Sequence, residues 1–310
     1  MRFLIYILLP FIPIFARAQG ASCVNMQLQV NQSVINLTSG QITANPQLVV
    51  KANTNPGGCD FFMTFDYGQG NSYNNRALRR GSDVWPLQIS KNSSGTEVLK
   101  NIQDVSSMND VLSGALRAGS NDRQVSVSYW VLLNMANPWL SAGLYQDTFV
   151  VKLYKGSPWG VYSLVESRSV GITFQAPKKA DISLVPSGGS FNLNDTTEVL
   201  NFGELTEGSI RSCDAVLKYN AGYILKASSA NEGRLKHQTM QEYISYQIRF
   251  NGSLFNLSGT ASSPRQIFRE LGRSPASGLS IPISVKVGSV SGKRSGSYQD
   301  VITLTVESAE

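Results

Sequence analysis

Gly143-Leu144-Tyr145-Gln146-Asp147-Thr148-Phe149-Val150-Val151-Lys152-Leu153 returns late in the chain as Gly296-Ser297-Tyr298-Gln299-Asp300-Val301-Ile302-Thr303-Leu304-Thr305-Val306. Successive side chains of an extended backbone point to opposite faces. Tyr145, Asp147, Phe149, Val151 and Leu153 therefore share one face of a strand, and so do Tyr298, Asp300, Ile302, Leu304 and Val306. The apolar members of each set face a core. The glycine permits a tight turn into the strand. The Tyr and Asp are read as tying that turn down by hydrogen bonds, because no partner base recurs with the Asp.

A second echo lies upstream. Cys59-Asp60-Phe61-Phe62-Met63-Thr64-Phe65 matches Cys213-Asp214-Ala215-Val216-Leu217-Lys218-Tyr219, 154 positions apart, while the tyrosines of the first pair are 153 apart. Two matches at nearly one offset indicate a duplicated domain. The boundary falls at Ala176-Pro177-Lys178-Lys179-Ala180, giving expected domains at 19–176 and 177–310.

Between the echoes the chain reads as β. Met26 to Val30, Val125 to Tyr129, Val170 to Phe174 and Ile281 to Val287 all alternate with period two. Turn clusters such as Asn55-Pro56-Gly57-Gly58 and Ser187-Gly188-Gly189 punctuate them. Helical spacing is best over Asp104–Leu116, with Val105, Met108, Leu112 and Leu116 on one side. Many short strands with frequent turns predict two antiparallel β-sandwiches.

The chain opens with Arg2, an apolar run from Phe3 to Phe15, and Ala16-Arg17-Ala18. This is the pattern of a secretory signal over residues 1–18, with a run too short to span a bilayer. About 290 residues remain, room for two domains of ordinary size. The formal charge of +6 is scattered. Its densest cluster, Arg76, Arg79 and Arg80, is small for a nucleic-acid footprint and is read as solvated surface.

Export favours a disulfide. Cys23 and Cys59 are the natural pair, since both lie in the first half, and Cys213 is left over as a buried, unreactive thiol or an intermolecular bridge. The one histidine, His237, sits in the polar run Lys236-His237-Gln238-Thr239 and reads as a surface residue. One histidine gives no zinc cluster, G-x-S-x-G is absent, and Gly288 to Arg294 lacks phosphate-loop spacing. The expectation is a non-enzyme without metal or cofactor.

Taken in order, Gly143–Leu153, Asn201-Phe202-Gly203-Glu204-Leu205, Tyr219-Asn220-Ala221-Gly222-Tyr223 and Gly296–Val306 make the chain resemble the spore coat protein U family. That family includes subunits of archaic chaperone–usher pili. The resemblance covers the second domain well, and the first mainly at its cysteines and last third. It implies immunoglobulin-like Greek-key sandwiches, one of them incomplete and completed by a donated strand. The implied partners are a periplasmic chaperone, an outer-membrane usher and an adjacent pilus subunit, with no nucleic acid. The implied location is the cell surface, reached through the periplasm.

The two copies themselves differ in the same sense. After its G-x-Y-Q-D strand the first runs through Gly156-Ser157-Pro158-Trp159-Gly160 into Val161–Phe174, where Val170, Ile172 and Phe174 alternate inward as a return strand. The second stops at Val306-Glu307-Ser308-Ala309-Glu310. A missing strand would leave Ile302, Leu304 and Val306 partly uncovered, a deficit on the order of 5–10 kcal/mol. A typical whole domain is stable by roughly 5–15 kcal/mol. The gap is filled either by another chain or by residues 181–190. At the other end, Gln19 to Ser22 are too few to form a donor strand, so the chain is expected to accept a strand and donate none, as a fibre tip does.

The pole away from the linker carries Pro158 and Trp159, and the Asp104–Gly119 segment adds Met108, Val111, Leu112 and Leu116. Pro158, Trp159, Met108, Val111 and Leu112 are the candidate adhesive positions, toward a host or abiotic surface or in a biofilm. Trp139 is placed at the opposite pole, Trp130 in the core, and Trp85 in either setting. Two other readings stay open: a structural pilus or coat subunit without adhesive role, and a free secreted carbohydrate-binding module.

Overall fold

The computed structural model describes residues 22–55, 57–119, 123–135 and 137–309. The signal segment expected at residues 1–18 lies outside them. The described chain is all-β, with three short 3-10 turns, and forms two immunoglobulin-like sandwiches.

In the first sandwich, Val24–Val30, Gln47–Asn53 and Arg123–Ser128 form a three-stranded sheet. It faces a larger sheet built around Gly143–Gly156. That long strand pairs with Cys59–Phe65 on one edge. On the other it pairs with the return strand Tyr162–Ala176, from Gly143↔Ala176 to Gly156↔Tyr162. The return strand in turn receives Val34–Leu37 in parallel, so it is held on both sides. Val170, Ile172 and Phe174 are accordingly 1%, 0% and 0% exposed, packed among Phe65, Trp85, Tyr145 and Phe149.

The second sandwich repeats the plan with one difference. Ala180–Pro186, Ile210–Tyr219, Leu279–Val287 and Tyr243–Phe250 form one sheet. Arg265–Glu270, Tyr223–Ser229 and Ile302–Ser308 form the other. Ile302–Ser308 holds the place that Gly143–Gly156 holds in the first copy, but among the described residues it pairs only with Tyr223–Ser229.

The shared turn chemistry is present in both copies. The Tyr145 hydroxyl donates to the Ser141 carbonyl at 2.7 Å, and the Tyr298 hydroxyl donates to the Arg294 carbonyl at 2.9 Å. Each phenol also meets a carboxylate, Asp83 at 3.4 Å and Glu242 at 2.7 Å. Asp300 accepts from Ser229 Oγ, Tyr246 Oη and the Asn231 and Val301 amides. Asp147 accepts from the Gln69 and Thr148 amides. These aspartates are fully engaged as turn anchors.

Three sequence readings are corrected. Asp104–Leu116 is not a helix: it is a 3-10 turn ending at Asp104, another at Met108–Asp110, and the strand Leu112–Leu116. Its apolar spacing serves a cluster of Val111, Ile102 and Val105 on Phe62 and Tyr154, on the outer face of the large sheet. His237 is buried rather than superficial. Its ring stands edge-on to Tyr298, its Nδ1 accepts from the Thr239 amide, and its Nε2 faces the Ser295 carbonyl at 3.3 Å. Arg76 is also buried, and its guanidinium donates to the carbonyls of Asp66, Leu99 and Ile89. Burial pulls its pKa down to about 10.

The remaining tryptophans sort by position. Trp85 is core, Trp130 is half-buried beside the buried Tyr129, and Trp139 meets Phe191 of the second sandwich edge-on at 6.0 Å. Asn220 joins the two sandwiches. Its Nδ2 donates to the Leu140 and Pro177 carbonyls, and its Oδ1 accepts from the Lys179 amide.

Candidate functional site: an open sheet edge and a distal pole

The phase of the Ile302–Ser308 ladder is set by the bonds at its two ends. Ala309 N donates to Gly222 O, and Ala230 N donates to Val301 O. Antiparallel partners exchange bonds at alternate residues. The amides of Thr303, Thr305 and Glu307 therefore point to Tyr223–Ser229, and those of Ile302, Leu304 and Val306 point to the unpaired edge. In the first copy, Val150 faces the Cys59–Phe65 side through Asp66, so Phe149, Val151 and Leu153 face the return strand. The same positions that are satisfied there stand open here.

Beside the open edge lies a groove of about 950 Å³ between the sheets. Ile302 and Leu304 form one wall, and Leu184, Ile248, Phe250 and Ile283 form the floor and the other wall. Val306 is half-buried on the core beyond the groove lining. Residues 181–190 do not close the edge: Ala180–Pro186 pairs with Tyr219–Cys213 in the opposite sheet. The segment 196–205 follows the rim without forming a ladder to Ile302–Ser308. Cys213 also lines the groove, and burial pushes its thiol up to about 11, so it is protonated and unreactive at neutral pH. Cys23 and Cys59 are joined, with Cα atoms 5.5 Å apart.

The distal pole of the first sandwich is where Gly156 turns into the return strand. Trp159 is 58% exposed and Val161 83%, and Tyr162 and Leu164 are exposed beside them. Pro158 is half-buried. Beneath, Tyr162 packs edge-on against both Phe62 and Tyr154, which are stacked on each other. Met108 is exposed on the loop covering that outer face. Val111 and Leu112 are 0% and 1% exposed, so they cannot contact a surface. Val111 sits on Phe62 and Tyr154, and Leu112 pairs with Met63 and points into the core. Val161 and Leu164 are surface residues that the sequence reading passed over; both follow the turn, where the return strand begins.

Among the described residues no group of three or more His, Cys, Asp or Glu is arranged to hold a metal ion. No helix among them is long and apolar enough to cross a membrane. What the geometry defines is a two-sandwich protein with one closed unit and one unit open along a sheet edge.

Solved structures similar to this chain include the chaperone–tip adhesin pre-assembly complex CsuC–CsuE of archaic Csu pili from Acinetobacter baumannii. It shares 13% identity over 91% of this chain and 100% of that one, at a TM-score of 0.43. The CupB6 tip adhesin from Pseudomonas aeruginosa shares 11% identity over 92% and 93% of the two chains, at 0.34. CfaE, the adhesive subunit of CFA/I fimbria of enterotoxigenic Escherichia coli, shares 11% over 89% and 92%, at 0.33. No family model and no curated protein matches the chain.

Proposed function

We propose that the chain is the tip adhesin subunit of an archaic chaperone–usher pilus. The second sandwich accepts an extended strand, first from a periplasmic chaperone and then from the adjacent subunit at the usher. The carrying observation is the unpaired edge of Ile302–Ser308 beside an apolar groove. Such an edge is a template for strand addition and an aggregation hazard if left free. An added strand satisfies the Ile302, Leu304 and Val306 amides and covers their side chains at once. At 1.5–3 kcal/mol per apolar side chain, that stabilises by roughly 5–10 kcal/mol.

The first sandwich supplies the adhesive end. Its return strand pairs along the edge that stands open in the second sandwich. The exposed Trp159 and Val161 lie at the pole away from the second sandwich, with Pro158 between them and the strand. Met108 adds an exposed apolar side chain on the flank. The ligand class this favours is an apolar host or abiotic surface, as in biofilm attachment, rather than a catalytic substrate.

The test is co-expression of the full chain in the periplasm with and without a strand-donating chaperone. The expected result is a stable complex, with monomer recovered poorly or aggregated when the chaperone is missing. Equal yield and stability without a donor would count against strand acceptance. Separately, Trp159→Ala should leave unfolding within about 0.5 kcal/mol and reduce retention on a hydrophobic surface. Unchanged retention would leave a structural subunit as the better account.

A further inference from the structure

Where the two sandwiches meet there is a second crevice, of about 450 Å³, lined from both sides. The first sandwich contributes Arg80, Ser141 and Gly143, the connection contributes Lys178, and the second sandwich contributes Asn220 and Arg273. Three cations thus line it, and no Asp or Glu does. Asp83, opposite Arg80 in the hairpin, is committed: it pairs with Arg273 at 2.8 Å and accepts from the Ser141 amide. Arg80 and Lys178 make no ion pair among the described residues.

Arg80 is exposed on the strand Ala77–Arg80. Its guanidinium lies against the backbone of Gly143, where an added Cβ would come within 2.7 Å of Nε. Gly143 has φ +130°, so the position excludes side chains by conformation as well as by space. The second copy has His237 over the equivalent Gly296, buried and facing a backbone carbonyl. The first copy instead presents to a cleft an exposed cation that has no ion pair among the described residues. A cleft lined by one sign of charge between protein walls concentrates counter-ions, and a guanidinium matches an oxyanion in shape.

We propose that this crevice binds a sulfate or phosphate oxyanion, free or carried as a monoester on a sugar, and that the bound anion ties the two sandwiches together. Arg80 and Lys178 supply the unpaired charge, and Arg273 contributes from the opposite wall. The inference is independent of strand acceptance, which uses a different edge of the second sandwich.

The test is calorimetric titration of the full chain with inorganic sulfate and with glucosamine 6-sulfate, at ionic strength held constant with sodium chloride. Saturable binding is expected, weakened about tenfold or more in Arg80→Gln/Lys178→Gln. It should be unchanged in Lys293→Gln/Arg294→Gln, whose charges lie on the rim of the other groove. Tighter binding of the sugar sulfate identifies the ester as the ligand; equal binding identifies the free ion. No saturable binding of either probe, or equal loss in both double variants, overturns the proposal.

Discussion

The strand Gly143–Gly156 has a partner on both edges, whereas Ile302–Ser308, which follows the same Gly-x-Tyr-Gln-Asp sequence, has one among the described residues. Both turns are anchored by a tyrosine reaching back to a carbonyl, and both strands send alternate side chains inward. The divergence lies next door. In one copy Val170, Ile172 and Phe174 cover the core; in the other a groove lies open at the same place. The strand sequence therefore fixes how the element folds, and its neighbour decides whether the sandwich is self-sufficient.

The largest effect should come from a charge placed on the core-facing side of each copy. Ile172→Asp buries a carboxylate in a closed core and should cost about 4–5 kcal/mol or more, unfolding the first sandwich. Leu304→Asp faces a half-open groove and should cost less than about 2 kcal/mol in the free chain, while abolishing capture of a donor strand. Denaturant unfolding checks both, and equal costs would break the comparison.

Next is the crosslink that only the first copy has. Cys59→Ser should lower the stability of the first sandwich by about 3–4 kcal/mol and leave the second unchanged, as read by separate unfolding transitions.

Smaller effects distinguish the two glycines. Gly296 has φ +151°, and an added methyl group would collide with Nε2 of the buried His237. Gly296→Ala should cost about 2–3 kcal/mol. Gly143→Ala meets the movable end of Arg80 and should cost about 1–2 kcal/mol. Paired melting curves would show the order.

The smallest effect is at the joint and depends on pH. Burial would raise the Asp83 carboxyl, but hydrogen bonds from Ser141 and Arg273 more than offset it and hold the pKa below the ordinary value of 3.8. A depressed pKa gives stability that is present above the unfolded value and is lost as pH falls through the folded one. Acidification below about pH 4 should therefore loosen the sandwich–sandwich contact, by less than about 1 kcal/mol for a pair exposed on the Arg273 side. Asp83→Asn should flatten that part of the pH profile.

Much of the fold was legible because period-two patterning survives in single strands, and because two motifs recur at nearly one offset. Val170, Ile172 and Phe174 could be read as a return strand for that reason. The groove was legible only on one wall. Ile302 and Leu304 sit on one strand, whereas Leu184, Ile248 and Ile283 come together through the packing of two sheets. His237 was misread because its flanks, Lys236 and Gln238, are polar; a strand with one face buried has such flanks, and the space above Gly296 was the missing clue. Arg76 was misread as surface charge because its ligands are backbone carbonyls, which carry no sequence signature. The helical spacing of Val105, Met108 and Leu112 came from residues serving different surfaces in successive turns.

The most direct measurement is residue-resolved amide hydrogen exchange of the full chain without a partner, comparing the two homologous strands. The account predicts alternation along Ile302–Ser308, with Thr303, Thr305 and Glu307 slow and Ile302, Leu304 and Val306 fast. Phe149, Val151 and Leu153 should all be slow, and a donated strand should slow the three fast amides. Uniformly slow exchange across Ile302–Ser308 in the unpartnered chain would contradict it, because that edge would already be paired.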